Sequence, residues 1–134
     1  MLSDDQLNTI TTVLLHHADL HTCFVFGSRV YGIPATSSDI DIAVAAERPL
    51  NPEERADLQV EFETALGIPV DLRDLRTLQG LILAEILQKG FLVLNKNPNY
   101  LDTRLREMFD YCQDMAPIIT DGMKTNLEQW VNGK

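Results

Sequence analysis

Basic residues are scarce: eleven Lys and Arg stand against twenty Asp and Glu, a formal charge of −9 over 134 residues. Polyanion binding needs clustered cations that displace phosphate counterions, so no long nucleic acid is expected as a partner. A divalent cation or a basic protein suits the balance better. No apolar run approaches bilayer length, and Met1-Leu2-Ser3-Asp4-Asp5 lacks the basic and apolar regions of a secretory signal, so a cytoplasmic protein with no membrane association is expected. Cysteine is limited to Cys23 and Cys112, both within apolar patterns and without metal-type spacing, which reads as reduced core thiols rather than a disulfide framework. Internal repeats, low-complexity tracts and interdomain linkers are also missing. With 45% apolar content, one domain over residues 1–134 is predicted, its core about 1–95 and a C-terminal helical extension about 99–131.

What is present has clear punctuation. Ser3 and Gln6 make a capping-box pattern for a helix over about Asp4 to His17, with Leu7, Ile10, Leu14 and His17 on one face. Thr22 to Phe26 is a β-prone run that stops at Gly27-Ser28, followed by a loop through Gly32, Pro34 and Ser38. Asp39 to Ala45 alternates as a strand, placing Ile40, Ile42 and Val44 on one side and Asp39, Asp41, Ala43 and Ala45 on the other. Asn51, Pro52, Glu54 and Gly67 bracket a helix over Pro52 to Leu66 whose buried stripe is Leu58, Phe62, Ala65 and Leu66. A third strand (Val70 to Asp74), a helix (Leu78 to Lys89) and a short fourth strand (Phe91 to Leu94) complete the sheet. Beyond it, Leu101, Leu105, Met108, Cys112 and Met115 repeat at helical spacing, a stripe that reads first as core and second as a partner groove or dimer seam. Pro117 and Gly122 then precede a segment carrying Leu127, Trp130 and Val131. The fold class expected is α/β (α+β): a mixed four-stranded sheet, helices covering one face, and a metal site on the open face or edge.

The residues that carry chemistry are Gly27 and Ser28, ten intervening positions, then Asp39-Ile40-Asp41, and Asp71 on the following strand. A Gly-Ser turn at a helix start presents backbone N–H groups with no side chain to block approach, and can cradle triphosphate oxygens. Carboxylates two apart on a strand share a face with Cα atoms roughly 6 to 7 Å apart, close enough to hold two hard cations between them. Asp71 lies between Val70 and Leu72, so it points away from their apolar face and a neighbouring strand can bring it beside the pair. Three such carboxylates repel one another unless a cation neutralises them, which makes Mg²⁺ the expected ligand.

Gly27-Ser28-Arg29-Val30-Tyr31-Gly32, followed by Ser38-Asp39-Ile40-Asp41-Ile42-Ala43-Val44, closely resembles the signature of the minimal nucleotidyltransferases of the DNA polymerase beta superfamily, over about Thr22 to Leu94. The resemblance implies the nucleotidyltransferase fold, ATP as donor and two Mg²⁺ ions. It also implies that Gly27 and Ser28 hold the triphosphate, that Asp39 and Asp41 ligate both metals, and that Asp71 completes the catalytic metal site and helps deprotonate the acceptor. Stand-alone proteins of this kind resemble the antitoxin half of HEPN/MNT toxin–antitoxin pairs. That likeness implies a hetero-oligomer with a HEPN ribonuclease toxin and AMP transfer to a toxin tyrosine. Val30 and Tyr31 are bulkier than the commonest family pattern and no arginine precedes Ser38-Asp39, which leaves the base preference open.

Competing readings are weaker. Gly27 and Gly32 have Walker A spacing, but Ile33-Pro34 replaces the Lys and Ser/Thr that grip phosphate. Asp74 rivals Asp71, yet parity puts it on the face of Val70 and Leu72. Arg29 can reach a phosphate or pair with a surface acid, and Arg73 can neutralise the carboxylates or touch triphosphate. His17 and His21 lack the glutamate of a zinc-protease motif and read as a helix-end cluster. A non-catalytic antitoxin acting by occlusion, or transfer to a small molecule, are the alternative functions.

Overall fold

The structure is a computed structural model and describes residues 2–26 and 40–114. Helix α1 spans Asp4–Leu15, and its capping box forms: Ser3 Oγ accepts from Gln6 N at 3.1 Å while Gln6 Oε1 accepts from Ser3 N at 3.0 Å. It ends two residues before the expected boundary, because His16 and His17 donate their N–H groups in tight three-residue turns to Val13 and Leu14, and both rings turn toward Glu61 of the second helix. Strands β1 (Leu20–Phe26) and β2 (Ile40–Ala46) pair antiparallel. Helix α2 (Pro52–Leu66) carries the predicted Asn51–Glu54 box and stops at Gly67, whose φ of 72° suits a residue without a side chain.

Strand β3 (Val70–Asp74) runs parallel to β2 after that crossover, and a 3-10 turn over Leu75–Thr77 leads to α3 (Gly80–Lys89). The sequence predicts this helix from Leu78; the structure starts it two residues later. Asp74 Oδ1 accepts from Arg76 N and Thr77 Oγ1 donates to Asp74 O, which closes a separate turn, and Gly80 has φ 68°. Strand β4 (Phe91–Asn95) pairs antiparallel with β1, and α4 covers Pro98–Asp114. The sheet order is β3-β2-β1-β4, the mixed four-stranded sheet expected.

Two cores flank this sheet. On one face α1 and α2 bury Ile10, Leu14, Leu58 and Phe62 against Cys23, Val25, Ile42, Val44 and Leu72. On the other, α3 and α4 bury Leu83, Leu87, Leu101, Leu105, Met108 and Cys112 against Phe24, Ala43 and Ala45. Helices on one face only is therefore corrected: the small Ala43 and Ala45, which read as an open surface, are the floor on which bulkier α3 and α4 side chains pack. The stripe from Leu101 to Cys112 is core within the chain, while Met115 and the segment with Leu127, Trp130 and Val131 lie outside the described residues. Ala65, expected in the buried stripe of α2, is exposed. Among the described residues no helix is long and apolar enough to cross a membrane.

Candidate active site

The alternation of β3 sorts its side chains without ambiguity. Val70, Leu72 and Asp74 are buried, whereas Asp71 and Arg73 are partly exposed on the opposite face. In the parallel pairing Asp41 is the Cα partner of Asp71, so two carboxylates stand on neighbouring strands, roughly 5 Å apart in backbone, on one face of the sheet. On the other side of Asp41 its partner is Phe26, the last residue of β1. The acids therefore sit at the end of the sheet where β1 finishes and where β2 and β3 begin. Ala43 and Ala45, further along the same face, are already covered by α3 and α4.

Gly27, Ser28, Arg29 and Asp39 lie outside the described residues. Of the site residues read from the sequence, the structure brings together Asp41, Asp71 and Arg73. Arg73 Nη2 donates to Asp71 Oδ2 at 3.4 Å, with the two side chains 42% and 46% exposed. The Arg73 Nε is enclosed and has no acceptor among the described residues. Arg73 therefore stands as a cation beside Asp71.

Asp74 is resolved as a structural residue. Only 5% exposed, it accepts from Leu50 N at 2.8 Å and from Arg76 N at 3.0 Å, tying the loop before α2 to the end of β3. His21, buried, bonds to Thr22 Oγ1 at 2.8 Å and to the Ala46 carbonyl at 3.0 Å; His17 meets Glu61 at 2.7 Å. Burial pushes the Glu61 carboxyl up, and the hydrogen bonds from His17 and His16 outweigh it, holding the group below its ordinary value.

Sequence reasoning missed the residues that hold β3 in place. Its outer edge is met by α2: Glu63 Oε2 accepts from Val70 N at 3.0 Å, Gln59 Oε1 from Leu72 N at 3.5 Å, and Arg55 Nη1 donates to Leu72 O at 3.4 Å. These contacts bracket Asp71. Their signal in the sequence is a polar stripe, Arg55, Gln59 and Glu63, at four-residue spacing on a helix whose other stripe is apolar.

Two carboxylates facing one another across parallel strands, open to solvent on one side, form a hard all-oxygen donor set of the kind that suits Mg²⁺. Residues 8–99 match the family described as "Polymerase beta, Nucleotidyltransferase". The Haemophilus influenzae protein named "Probable protein adenylyltransferase MntA" is 32% identical over 96 residues, covering 71% of this chain and 83% of that one. The Shewanella oneidensis "Protein adenylyltransferase MntA" is 35% identical over 71 residues, 53% of this chain and about half (51%) of the relative. A crystal structure of a toxin–antitoxin with AMP-PNP superposes with a TM-score of 0.69 at 26% identity, covering 87% of this chain and 98% of that one. The chain belongs to the polymerase beta nucleotidyltransferase family.

Proposed function

We propose that this chain is a cytoplasmic Mg²⁺-dependent protein adenylyltransferase that moves AMP from ATP to a tyrosine hydroxyl of a cognate HEPN ribonuclease toxin and so acts as its antitoxin. The observation that carries the reading is the register that sets Asp41 against Asp71 at the open end of the sheet. Relatives named protein adenylyltransferase MntA support the reaction class, and the toxin–antitoxin structure with AMP-PNP supports both the donor and the partner.

Asp39, Asp41 and Asp71 would hold magnesium, which when bound neutralises the phosphate charge and polarises the acceptor oxygen. Gly27 and Ser28 would cradle the triphosphate with backbone N–H groups and a hydroxyl, with Arg29 beside them as a candidate phosphate donor. The acceptor oxygen forms a bond to the α-phosphorus as the bond from that phosphorus to the bridging oxygen breaks. AMP is left on the tyrosine and pyrophosphate departs. Asp71, half exposed to solvent, would take the hydroxyl proton. The remaining contribution is positioning, which fixed strands supply better than a loop.

The test is to incubate the purified chain with the cognate HEPN protein proposed here, ATP and Mg²⁺, and read intact masses. Added AMP on the HEPN protein, lost with Asp41→Asn while the complex still forms, is the expected result. No AMP on either protein, with neutralisation retained by Asp41→Asn, would replace this reading with an antitoxin that works by binding alone.

A further inference from the structure

Arg73 is the one described cation that contacts Asp71. Its position is fixed by the strand: Asp74 is anchored on the opposite face by Leu50 N and Arg76 N, so the alternation must send Arg73 to the face of Asp71. Across the sheet its Cα partner is Ala43, whose small side chain leaves the long guanidinium stem free to lean toward Asp71.

The contact itself is loose. At 3.4 Å between half-exposed groups, and with the Nε enclosed but without an acceptor among the described residues, the guanidinium is satisfied neither as a bidentate fork nor as a fully solvated charge. A salt bridge serving only stability would gain from closing that fork. An ion pair left open in this way is easily displaced.

We propose that Arg73 is a stand-in cation: in the nucleotide-free protein it occupies Asp71 and lowers the affinity of the carboxylates for a divalent metal, so that the site loads metal together with triphosphate rather than alone. This rests on the metal-site reading above. A guanidinium and a divalent ion drawn to the same carboxylate repel each other, whereas the net negative charge that a triphosphate keeps after binding a metal gives the displaced guanidinium somewhere better to go. Arg73 is thus a positioning residue for Asp71 and sets the order of loading.

The experiment is a Mn²⁺ titration of the nucleotide-free chain followed by electron paramagnetic resonance, repeated with ATP binding measured at fixed Mn²⁺. Arg73→Gln should tighten Mn²⁺ binding without nucleotide by roughly three- to tenfold and weaken ATP binding. Arg73→Lys, which keeps the charge, should stay near the wild-type metal affinity. Unchanged or weaker Mn²⁺ binding by Arg73→Gln, in a preparation whose wild-type site binds Mn²⁺ and loses it with Asp41→Asn, overturns the proposal and leaves the metal site standing. If the wild-type chain binds no Mn²⁺ under any condition, the metal-site reading and this proposal fall together.

Discussion

Replacing Asp71 and Asp74 one at a time by asparagine separates chemistry from architecture three residues apart. Asp74 is 5% exposed and accepts two backbone N–H groups, from Leu50 at 2.8 Å and Arg76 at 3.0 Å. Asparagine keeps one acceptor oxygen and turns an N–H₂ toward the other donor, so one charge-assisted bond is lost and a buried N–H is left unmet. Together these cost about 3 kcal/mol. For a chain of this length that corresponds to a fall in Tm of roughly 10 °C. Adenylyl transfer, measured well below that temperature, should change less than threefold. Asp71→Asn is the mirror image. The side chain is half exposed and its partner among the described residues is a loose arginine, so Tm should move by no more than about 2 °C. Transfer should drop by two orders of magnitude or more, about 2.7 kcal/mol of transition-state stabilisation. Differential scanning calorimetry and a radiolabelled AMP-transfer assay read the two effects independently. A stable Asp74→Asn protein without activity, beside an active Asp71→Asn, would refute the assignment by strand parity.

Other consequences are local. Arg48 meets both carboxylate oxygens of Glu54 at 2.6 Å, and this pairing, with the Asn51 N–H, holds Glu54 down from 4.5 to about 2. A depressed folded value means that the stabilisation is present above pH 4.5 and is lost as pH falls toward 2. The Tm difference between wild type and Glu54→Gln should therefore shrink across that window, and high salt should reduce it at neutral pH. Glu63→Ala removes the acceptor of Val70 N and should cost about 1–2 kcal/mol, with amide exchange at Val70 accelerated ahead of that in β1. Unchanged exchange there would mean that α2 does not secure the edge. Leu105→Ala empties a 2% exposed position on the buried side of α4 and should lower stability by about 2–4 kcal/mol. Its urea midpoint checks this, and a neutral result would argue that α4 is not part of the second core.

Much of the architecture is legible from local signals. The Ser3–Gln6 and Asn51–Glu54 boxes and Gly67 mark three helix ends directly, because the boxes are reciprocal hydrogen-bond patterns and the glycine a left-handed cap, each confined to a few residues. The alternation Val70-Asp71-Leu72-Arg73-Asp74 gives the face of every residue in β3. What is not legible depends on partners distant in sequence. Ala43 and Ala45 look like an open face until α3 and α4 are seen to rest on them. His16 and His17 continue the periodicity of α1, and only Glu61, some 45 positions on, turns them out of the helix. Of the candidate site, the opposite faces of Asp71 and Asp74 could be read by parity. The three α2 side chains on the β3 edge could not, since nothing in Arg55, Gln59 or Glu63 alone distinguishes a strand cap from a solvated helix face.

The juxtaposition of Asp41 and Asp71 follows from one topological choice. Each aspartate is the second residue of its strand, and parallel strands in register bring equal positions together. Were β3 reversed over the same span, Asp71 would slide two residues along β2, roughly 7 Å, and stand opposite Ala43 under the α3–α4 layer instead of at the open end. Parallel pairing in turn requires a crossover long enough to carry the chain back over the sheet, which the fifteen residues of α2 provide. The same helix then meets the exposed edge of β3 with Glu63, Gln59 and Arg55, bracketing Asp71 from Val70 to Leu72. α2 therefore does two things for the site: it makes β2 and β3 parallel, and it fixes β3 against the sliding and fraying to which an edge strand is prone. Substitutions on its polar stripe should consequently loosen Asp71 while leaving Asp41, paired on both sides by β1 and β3, where it is.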